Sequence, residues 1–395
     1  MSTGRTPPTE EASDVPPFQF RWLETGAAAL DAVFQAIVAA RRSIRLEIYI
    51  FTADIVGNRF LEALTDAQRR GVEVRVMVDA VGSVMLSNAF WERLIREGGQ
   101  FQWFNPFQGE GRFGYRNHRK LVVIDDEEAF IGGFNVSEDY HGDGVLHGWR
   151  DLGMALTGPV VRALAATFDD LFSRAGKPLP AFPPIHRRPN TEIYGEGWTL
   201  LLSGPGRGYH ALKRSILADL SRAKSVRIIC AYFLPTLKIR RALKKVVARG
   251  GRVELILAGK SDVRLSQLAS RSLYGNLLQA GLEIYEYQPQ ILHSKLFVID
   301  DAVYVGSANL DVRSLKLNYE LLLRIDDPEA AARARQIFAI DLAQSRPVEP
   351  SRWFASRGLW NSVSERAAYL LLAHGDPLLT GVGLKNRLSG GVKVL

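Results

Sequence analysis

Residues 118–135 read HRKLVVIDDEEAFIGGFN, and residues 293–309 read HSKLFVIDDAVYVGSAN. Each stretch has His, one residue, Lys, four residues, Asp, and then a Gly-containing turn that ends in Asn. The apolar run between Lys and Asp predicts a buried strand. Side chains alternate along a strand, so His118 and Lys120 project together, as do His293 and Lys295, while Asp125 and Asp300 point elsewhere. The order around each stretch also recurs. In the first half, ALDAVFQAIVAARR predicts a helix, RLEIYIF a strand, RFLEALTDAQRRG a helix and VEVRVMVDA a strand. In the second half HALKRSILADLSRA, VRIICAYF, KIRRALKKVVARGG and RVELILAG repeat that sequence of elements. Even the joints match, RRGVEVRVMVDA with RGGRVELILAGK and EGGQFQWFNP with QAGLEIYEYQP.

The chain is therefore read as two similar α/β units related by a pseudo-twofold axis. Each is expected to be a mixed, mainly parallel sheet flanked by helices, with antiparallel strands after each His-x-Lys segment. The expected boundaries are a flexible tail at 1–17, a first domain at 18–174, a Pro- and Gly-rich linker at 175–197, a second domain at 198–349 and a basic amphipathic segment at 350–395. Between residues 346 and 395 there are seven Lys or Arg and three Asp or Glu, and Trp360, Val363, Ala367, Leu370 and Leu371 fall at helical spacing. That pattern suits an interfacial helix on anionic lipid and equally a helix packed on the core.

Composition narrows the function. The 395 residues are 47% hydrophobic and 23% charged, which excludes global disorder. Fifty Lys and Arg against 42 Asp and Glu give a net charge of +8, which favours anionic partners such as nucleic acid, phosphorylated small molecules or lipid headgroups. The single cysteine, Cys230, closes no internal disulfide and founds no zinc cluster, and a reducing compartment is expected. No stretch is apolar for long enough to span a bilayer, and the first seventeen residues have no signal-peptide core.

The chemistry follows from the pairing of imidazole with ammonium. A cation beside each His suits an anionic phosphate and opposes a metal, so neither metal nor cofactor is expected. Two histidines serve a double displacement at phosphorus: one, neutral, attacks to form a phosphohistidine, and the other, protonated, supplies the leaving alkoxide with its proton. Lys120, Lys295, Asn135 and Asn309 are expected to stabilise the charge of the pentacoordinate transition state.

The duplicated motif resembles the phospholipase D superfamily over most of the chain. Within it, RNHRKLVVID, IGGFN, EDY, SRSLYGNLLQAG, LHSKLFVID, VGSANLDVRS and NYELLL are similar to the bacterial cardiolipin synthases, here to a short branch without transmembrane helices. The resemblance implies one active site between the halves of a monomer, an internal pseudo-dimer, with His118 as nucleophile. It also implies that Asp151 in WRD and Glu320 in NYE hydrogen-bond the histidines, and that the motif residues Asp125 and Asp300 brace the structure. The implied reaction is phosphatidyl transfer from a phosphatidylglycerol-type lipid to a second lipid, making cardiolipin. The enzyme would sit peripherally at the cytoplasmic side of the bacterial inner membrane, with anionic phospholipid as substrate and no obligatory nucleic acid. Water as acceptor gives phospholipase D hydrolysis instead, and the same chemistry fits a nuclease.

Overall fold

A computed structural model describes residues 17–106, 114–175, 191–205, 210–356 and 358–374. The N-terminal tail expected at 1–17 falls almost wholly outside the described residues, as does most of the linker stretch.

The first half runs β1 (Gln19–Leu23), α1 (Gly26–Ala39), β2 (Ser43–Ile48), α2 (Ile55–Arg69), β3 (Glu73–Asp79), α3 (Asn88–Arg96), β4 (Gln100–Phe104), β5 (Leu121–Ile124), β6 (Glu128–Gly132), β7 (Gly153–Thr157) and α4 (Pro159–Arg174). The second half opens with β8 (Glu192–Gly195), β9 (Trp198–Ser203), α5 (Ala211–Leu220), β10 (Ser225–Cys230), α6 (Leu237–Ala248), β11 (Arg252–Ala258), α7 (Arg264–Leu278) and β12 (Glu283–Tyr287). It continues with β13 (Lys295–Ile299), β14 (Ala302–Gly306), α8 (Val312–Lys316), β15 (Glu320–Asp326), α9 (Pro328–Ala343) and β16 (Ser345–Pro347). Two helices follow, α10 (Pro350–Ala355) and α11 (Leu359–His374).

The sheets repeat one topology. Strand order is β1-β7-β6-β5-β2-β3-β4 in the first, and β9-β15-β14-β13-β10-β11-β12 reproduces it in the second, with β8 and β16 added at the edges. The duplication and the α/β class hold, but the sheets are less parallel than the alternation of helices and strands suggests. Among the described strands only β2-β3-β4 and β10-β11-β12 run parallel. Each motif forms a hairpin, β5-β6 or β13-β14, whose next strand returns beside it, so antiparallel pairs outnumber parallel ones. β8 lies inside the stretch read as linker and pairs with β9, because IYG turns back on WTL through a short Gly-containing turn.

The apolar faces explain the layering. α1, α2 and α3 cover the outer face of the first sheet through Leu30, Val33, Phe60, Leu64 and Trp91, and α5, α6 and α7 cover the second through Ile216, Leu243 and Leu273. The inner faces, with α4 and α9, share one core in which Val123, Ile131 and Phe168 join Val298, Val305 and Phe338. Both halves thus bury a common surface, which fixes their relative orientation.

The C-terminal helices pack on the second half through Trp353 and Ala368, both buried, while Val363, Leu370 and Leu371 remain exposed. α11 therefore realises the packed alternative on one face and keeps an apolar face outward on another.

Asp125 and Asp300 are braces. Both occupy turns at the strand ends away from the histidines, with φ of 55° and 51°. Asp125 accepts the N–H groups of Arg41, Arg42 and Ser43 at 2.9, 2.7 and 2.9 Å, and Asp300 accepts those of Lys224 and Ser225 at 3.0 and 2.8 Å. Burial pushes the Asp125 carboxyl upward, but those three N–H donors hold it below its ordinary range. Asp125→Ala should cost about 2–4 kcal/mol of stability, and Asp125→Asn less, since Asn keeps an acceptor and tolerates positive φ. Thermal unfolding checks this, and the stabilisation should fade as pH falls through the depressed folded-state pKa.

Candidate active site

Each motif histidine stands just before its strand, at the seam between the halves. His118 N–H donates to the Tyr319 carbonyl at 3.0 Å, and Tyr319 N–H returns to the Arg116 carbonyl at 2.9 Å. On the other side of the pseudo-twofold, Arg150 N–H reaches the Ile291 carbonyl and His293 N–H reaches the Arg150 carbonyl, each at 2.8 Å. Backbone bonding across the seam thus delivers each histidine to the opposite half.

The side chains complete the exchange. His118 Nδ1 lies 3.0 Å and 3.1 Å from the two carboxylate oxygens of Glu320, in the second half. His293 Nδ1 lies 2.7 Å from Asp151 Oδ2, in the first. With the Glu320 carboxylate opposite, His118 Nδ1 carries the hydrogen and its Nε2 is left to face substrate, whereas the His293 ring also meets Lys295 Nζ at 2.7 Å from Nδ1 and 3.2 Å from Nε2. Lys120 Nζ donates to the His118 carbonyl at 2.7 Å, and Lys295 Nζ donates to the His293 carbonyl. All six side chains are buried. They share one electrostatic neighbourhood: the Lys295 charge acts on both His118 and Lys120, and Asp151 acts on Lys120.

The two carboxylates are not equivalent. Glu320 also accepts from the hydroxyls of Ser307 at 2.5 Å and Ser314 at 2.7 Å, and from Asn318 Nδ2 at 3.4 Å. Burial pushes Glu320 upward, but its interaction with His118, the Lys120 charge and the Ser307 hydroxyl hold it below its ordinary range. Asp151 accepts one N–H, from Leu152 at 2.8 Å, beside His293. Burial wins there and pushes Asp151 up to about 6, against Lys295 and that N–H. The cause is visible in sequence: where the second half has Ser307 the first has Gly133, and a Cβ there would come 2.2 Å from Asp151 Oδ1.

Burial and the two ammonium charges push His118 down to about 4, so its ring is neutral at neutral pH. Lys120 is pushed down to about 7, by burial first and by Lys295. Lys295 is also lowered, mainly by burial.

Asn135 and Asn309 have part of their bonding committed to the frame. Asn135 Oδ1 accepts Ile50 N–H at 3.0 Å, and Asn309 Oδ1 accepts Tyr232 N–H at 3.3 Å. Asn135 Nδ2 donates to the Tyr140 hydroxyl at 2.8 Å, which lies 3.4 Å from His293 Nε2. Asn135 thereby positions Tyr140 against the His293 ring.

Aromatic walls include Tyr49, Tyr140 and Trp149, which the sequence does not single out as lining. Tyr49 meets His118 edge-on at 4.9 Å between ring centres, and Tyr140 and Trp149 meet His293 at 5.1 and 5.6 Å. Tyr49 ends the strand RLEIYI at the place where Ala231 ends its counterpart, so the repeat itself offered no parallel to find it by. Arg116, a flanking basic residue, turns inward to Asp79 at 3.4 Å instead of facing the cleft.

Comparison with known proteins agrees with this geometry. A family model described as "Cardiolipin synthase, PLD-like domain" matches residues 33–167 and again 216–342, one match per half. Cardiolipin synthase 2 of Bacillus anthracis is 34% identical over 369 residues, 91% of this chain and 70% of that protein. Cardiolipin synthase A of Pseudomonas aeruginosa is 35% identical over 337 residues, 84% of this chain and 68% of that protein. In fold, the chain is similar to phosphatidylserine synthase of Haemophilus influenzae, with a TM-score of 0.72 at 16% identity over 91% of this chain and 94% of that one. It is also similar in fold to polyphosphate kinase of Porphyromonas gingivalis, with a TM-score of 0.55 at 16% identity over 85% of this chain and 49% of that one. With both halves matched and the His-Lys pairs meeting at their seam, the chain belongs to the cardiolipin synthase family of phospholipase D-like enzymes.

Proposed function

We propose that the enzyme makes cardiolipin from two phosphatidylglycerol-type lipids through a phosphatidyl-His118 intermediate. The observation that carries this reading is the exchange of carboxylates across the seam, His118 with Glu320 and His293 with Asp151, in one buried neighbourhood that Lys120 and Lys295 share. His118 Nε2 attacks phosphorus and the bond to the headgroup oxygen breaks. That oxygen takes the proton of His293, and glycerol leaves. His293, now neutral, takes the proton of a headgroup hydroxyl on the second lipid. The freed oxygen attacks phosphorus, the P–N bond breaks, and cardiolipin leaves with both histidines restored. Lys120 and Lys295 stabilise the extra negative charge of each pentacoordinate state.

The unequal carboxylates support His118 as the nucleophile. Its partner Glu320 stays ionised while the ring itself is held neutral, as an attacking imidazole must be. Both histidines lie in one chain, which supports a monomer as the working unit, and the net charge of +8 supports a peripheral enzyme on the anionic cytoplasmic face of the bacterial inner membrane.

Incubation with phosphatidylglycerol vesicles should release glycerol and yield cardiolipin in equal amounts, with single-stranded DNA left intact. DNA cleavage without lipid conversion would overturn the reading, and release of phosphatidic acid in place of cardiolipin would make water the acceptor.

The pH profile should be narrow. As pH falls through about 6, Asp151 gains a proton and the His293 imidazolium loses its counter-ion. As pH rises through about 7, Lys120 loses the charge that stabilises the transition state. kcat/KM on short-chain phosphatidylglycerol should fall on both sides, and Lys120→Arg should move the alkaline limb upward at a lower maximum. An alkaline limb unmoved by that substitution would contradict the assignment.

A further inference from the structure

Three lysines on the active-site rim of the second half form no ion pair among the described residues. Lys213 lies in the first turn of α5, Lys238 in the first turn of α6, and Lys316 ends α8. The topology puts all three at one end of the sheet. Ser203, the last residue of β9, pairs with Glu320, and its hydroxyl donates to the Ser314 carbonyl of α8 at 3.1 Å. Cys230, the last residue of β10, pairs with Lys295, and α6 begins a short loop later. Lys238 and Lys316 are exposed and Lys213 is half-buried. The Lys213 ammonium is pushed below its ordinary value by burial and then by the charges of Lys238 and Lys316, as expected of three cations sharing a neighbourhood.

Apolar side chains adjoin this cluster. Leu237, beside Lys238, is 57% exposed, and Leu370 and Leu371 of α11 are 54% and 38% exposed. The C-terminal part of α11 is held at the first turn of α6 by Arg240, which donates to the Tyr369 hydroxyl at 2.8 Å. Exposed leucines next to unpaired lysines match the two layers of an anionic bilayer surface, phosphates outside and acyl chains beneath. A soluble polyanion would leave the leucines in water.

We propose that Lys213, Lys238 and Lys316, with Leu237, Leu370 and Leu371, dock the enzyme on an anionic phospholipid bilayer with the active-site mouth facing the lipid. The choice of bilayer rests on the reading of an anionic phospholipid as substrate. The test is flotation of the full chain with phosphatidylcholine vesicles, with and without phosphatidylglycerol. The protein should float with the anionic vesicles and release from them as salt rises. K213E/K238E/K316E should weaken that binding at least tenfold, since each lysine near an anionic surface contributes roughly a fivefold factor. L237S/L370S/L371S should weaken it as well, with thermal unfolding confirming that both variants fold. K224E, on the opposite rim where the Lys224 N–H meets Asp300, should float as the parent does. Unchanged flotation of the folded lysine variant would overturn the proposal, as would an equal loss in K224E. Lysine-dependent flotation of a protein that makes no cardiolipin would sustain the docking surface and remove the substrate reading. Cardiolipin synthesis with unchanged flotation of the variants would do the reverse.

Discussion

His118→Ala and His293→Ala should each lower turnover of phosphatidylglycerol by about 10,000-fold or more while leaving the thermal unfolding midpoint nearly unchanged. The loss is large because neither ring has a substitute. Among the described groups that touch them are lysines, carboxylates and aromatic residues; Lys120 donates to a carbonyl, Lys295 meets both a carbonyl and the His293 ring, and the carboxylates pair with the rings. Stability is spared because each imidazole sits at the mouth of the strand and not within the shared apolar core. The two losses should not add. Once attack is impossible, proton transfer to the leaving group has nothing to assist, so the double variant should resemble either single one. Steady-state assays of the three variants test this directly, and near-normal turnover in any of them would contradict a two-histidine reaction.

Glu320→Gln should lower kcat by roughly 100- to 10,000-fold, with a smaller effect on KM. The carboxylate holds the Nδ1–H tautomer of His118 and stabilises the imidazolium character that develops as Nε2 bonds to phosphorus. An amide offers one acceptor oxygen where the carboxylate offers two, and since Ser307 and Ser314 donate to different oxygens its NH2 group would confront one of those hydroxyls. Asp151→Asn should be milder. Its carboxyl is already pushed up to about 6 and has a single backbone donor besides His293, so less bonding is lost. Equal losses in the two variants would mean that the halves act symmetrically, against the division of roles derived from Ser307 and Gly133.

The motif residues were legible because the chain is duplicated. A single His-x-Lys strand is ordinary, but its recurrence at matching places in two runs of helix and strand marks His118, Lys120, His293 and Lys295 as a set. The strand alternation that separated Asp125 and Asp300 from the histidines gave the right separation for an incomplete reason, since the histidines precede their strands and the aspartates cap the far turns. The carboxylates came from family resemblance alone. Nothing local in WRD or NYE says that each serves the other half, because that depends on how two sheets pack over a common core. The parallel share of the sheets was overestimated for a similar reason: the returning strands β7 and β15 and the edge strands β1 and β9 add antiparallel pairs that helix and strand alternation does not register. Tyr49, Tyr140 and Trp149 were hidden because an aromatic residue at a strand end or in a loop looks the same whether it fills a core or lines a cleft.

Lys213, Lys238 and Lys316 illustrate the opposite limit. In sequence they are three of fifty basic residues, and only the convergence of α5, α6 and α8 on the mouth of the site distinguishes them. The Arg240–Tyr369 bond ties α11 to the first turn of α6, the turn that carries Lys238.

The proposed reaction hands one phosphorus atom from a headgroup oxygen to His118 and on to a second oxygen. The most direct measurement is single-turnover incubation of the His293→Ala variant with phosphatidylglycerol carrying labelled phosphorus, followed by alkaline digestion and peptide mapping. Label on His118 is the predicted result, because attack persists slowly while resolution lacks its base. Label on any other residue, or turnover in the parent enzyme with no covalent adduct formed at a competent rate, would contradict it.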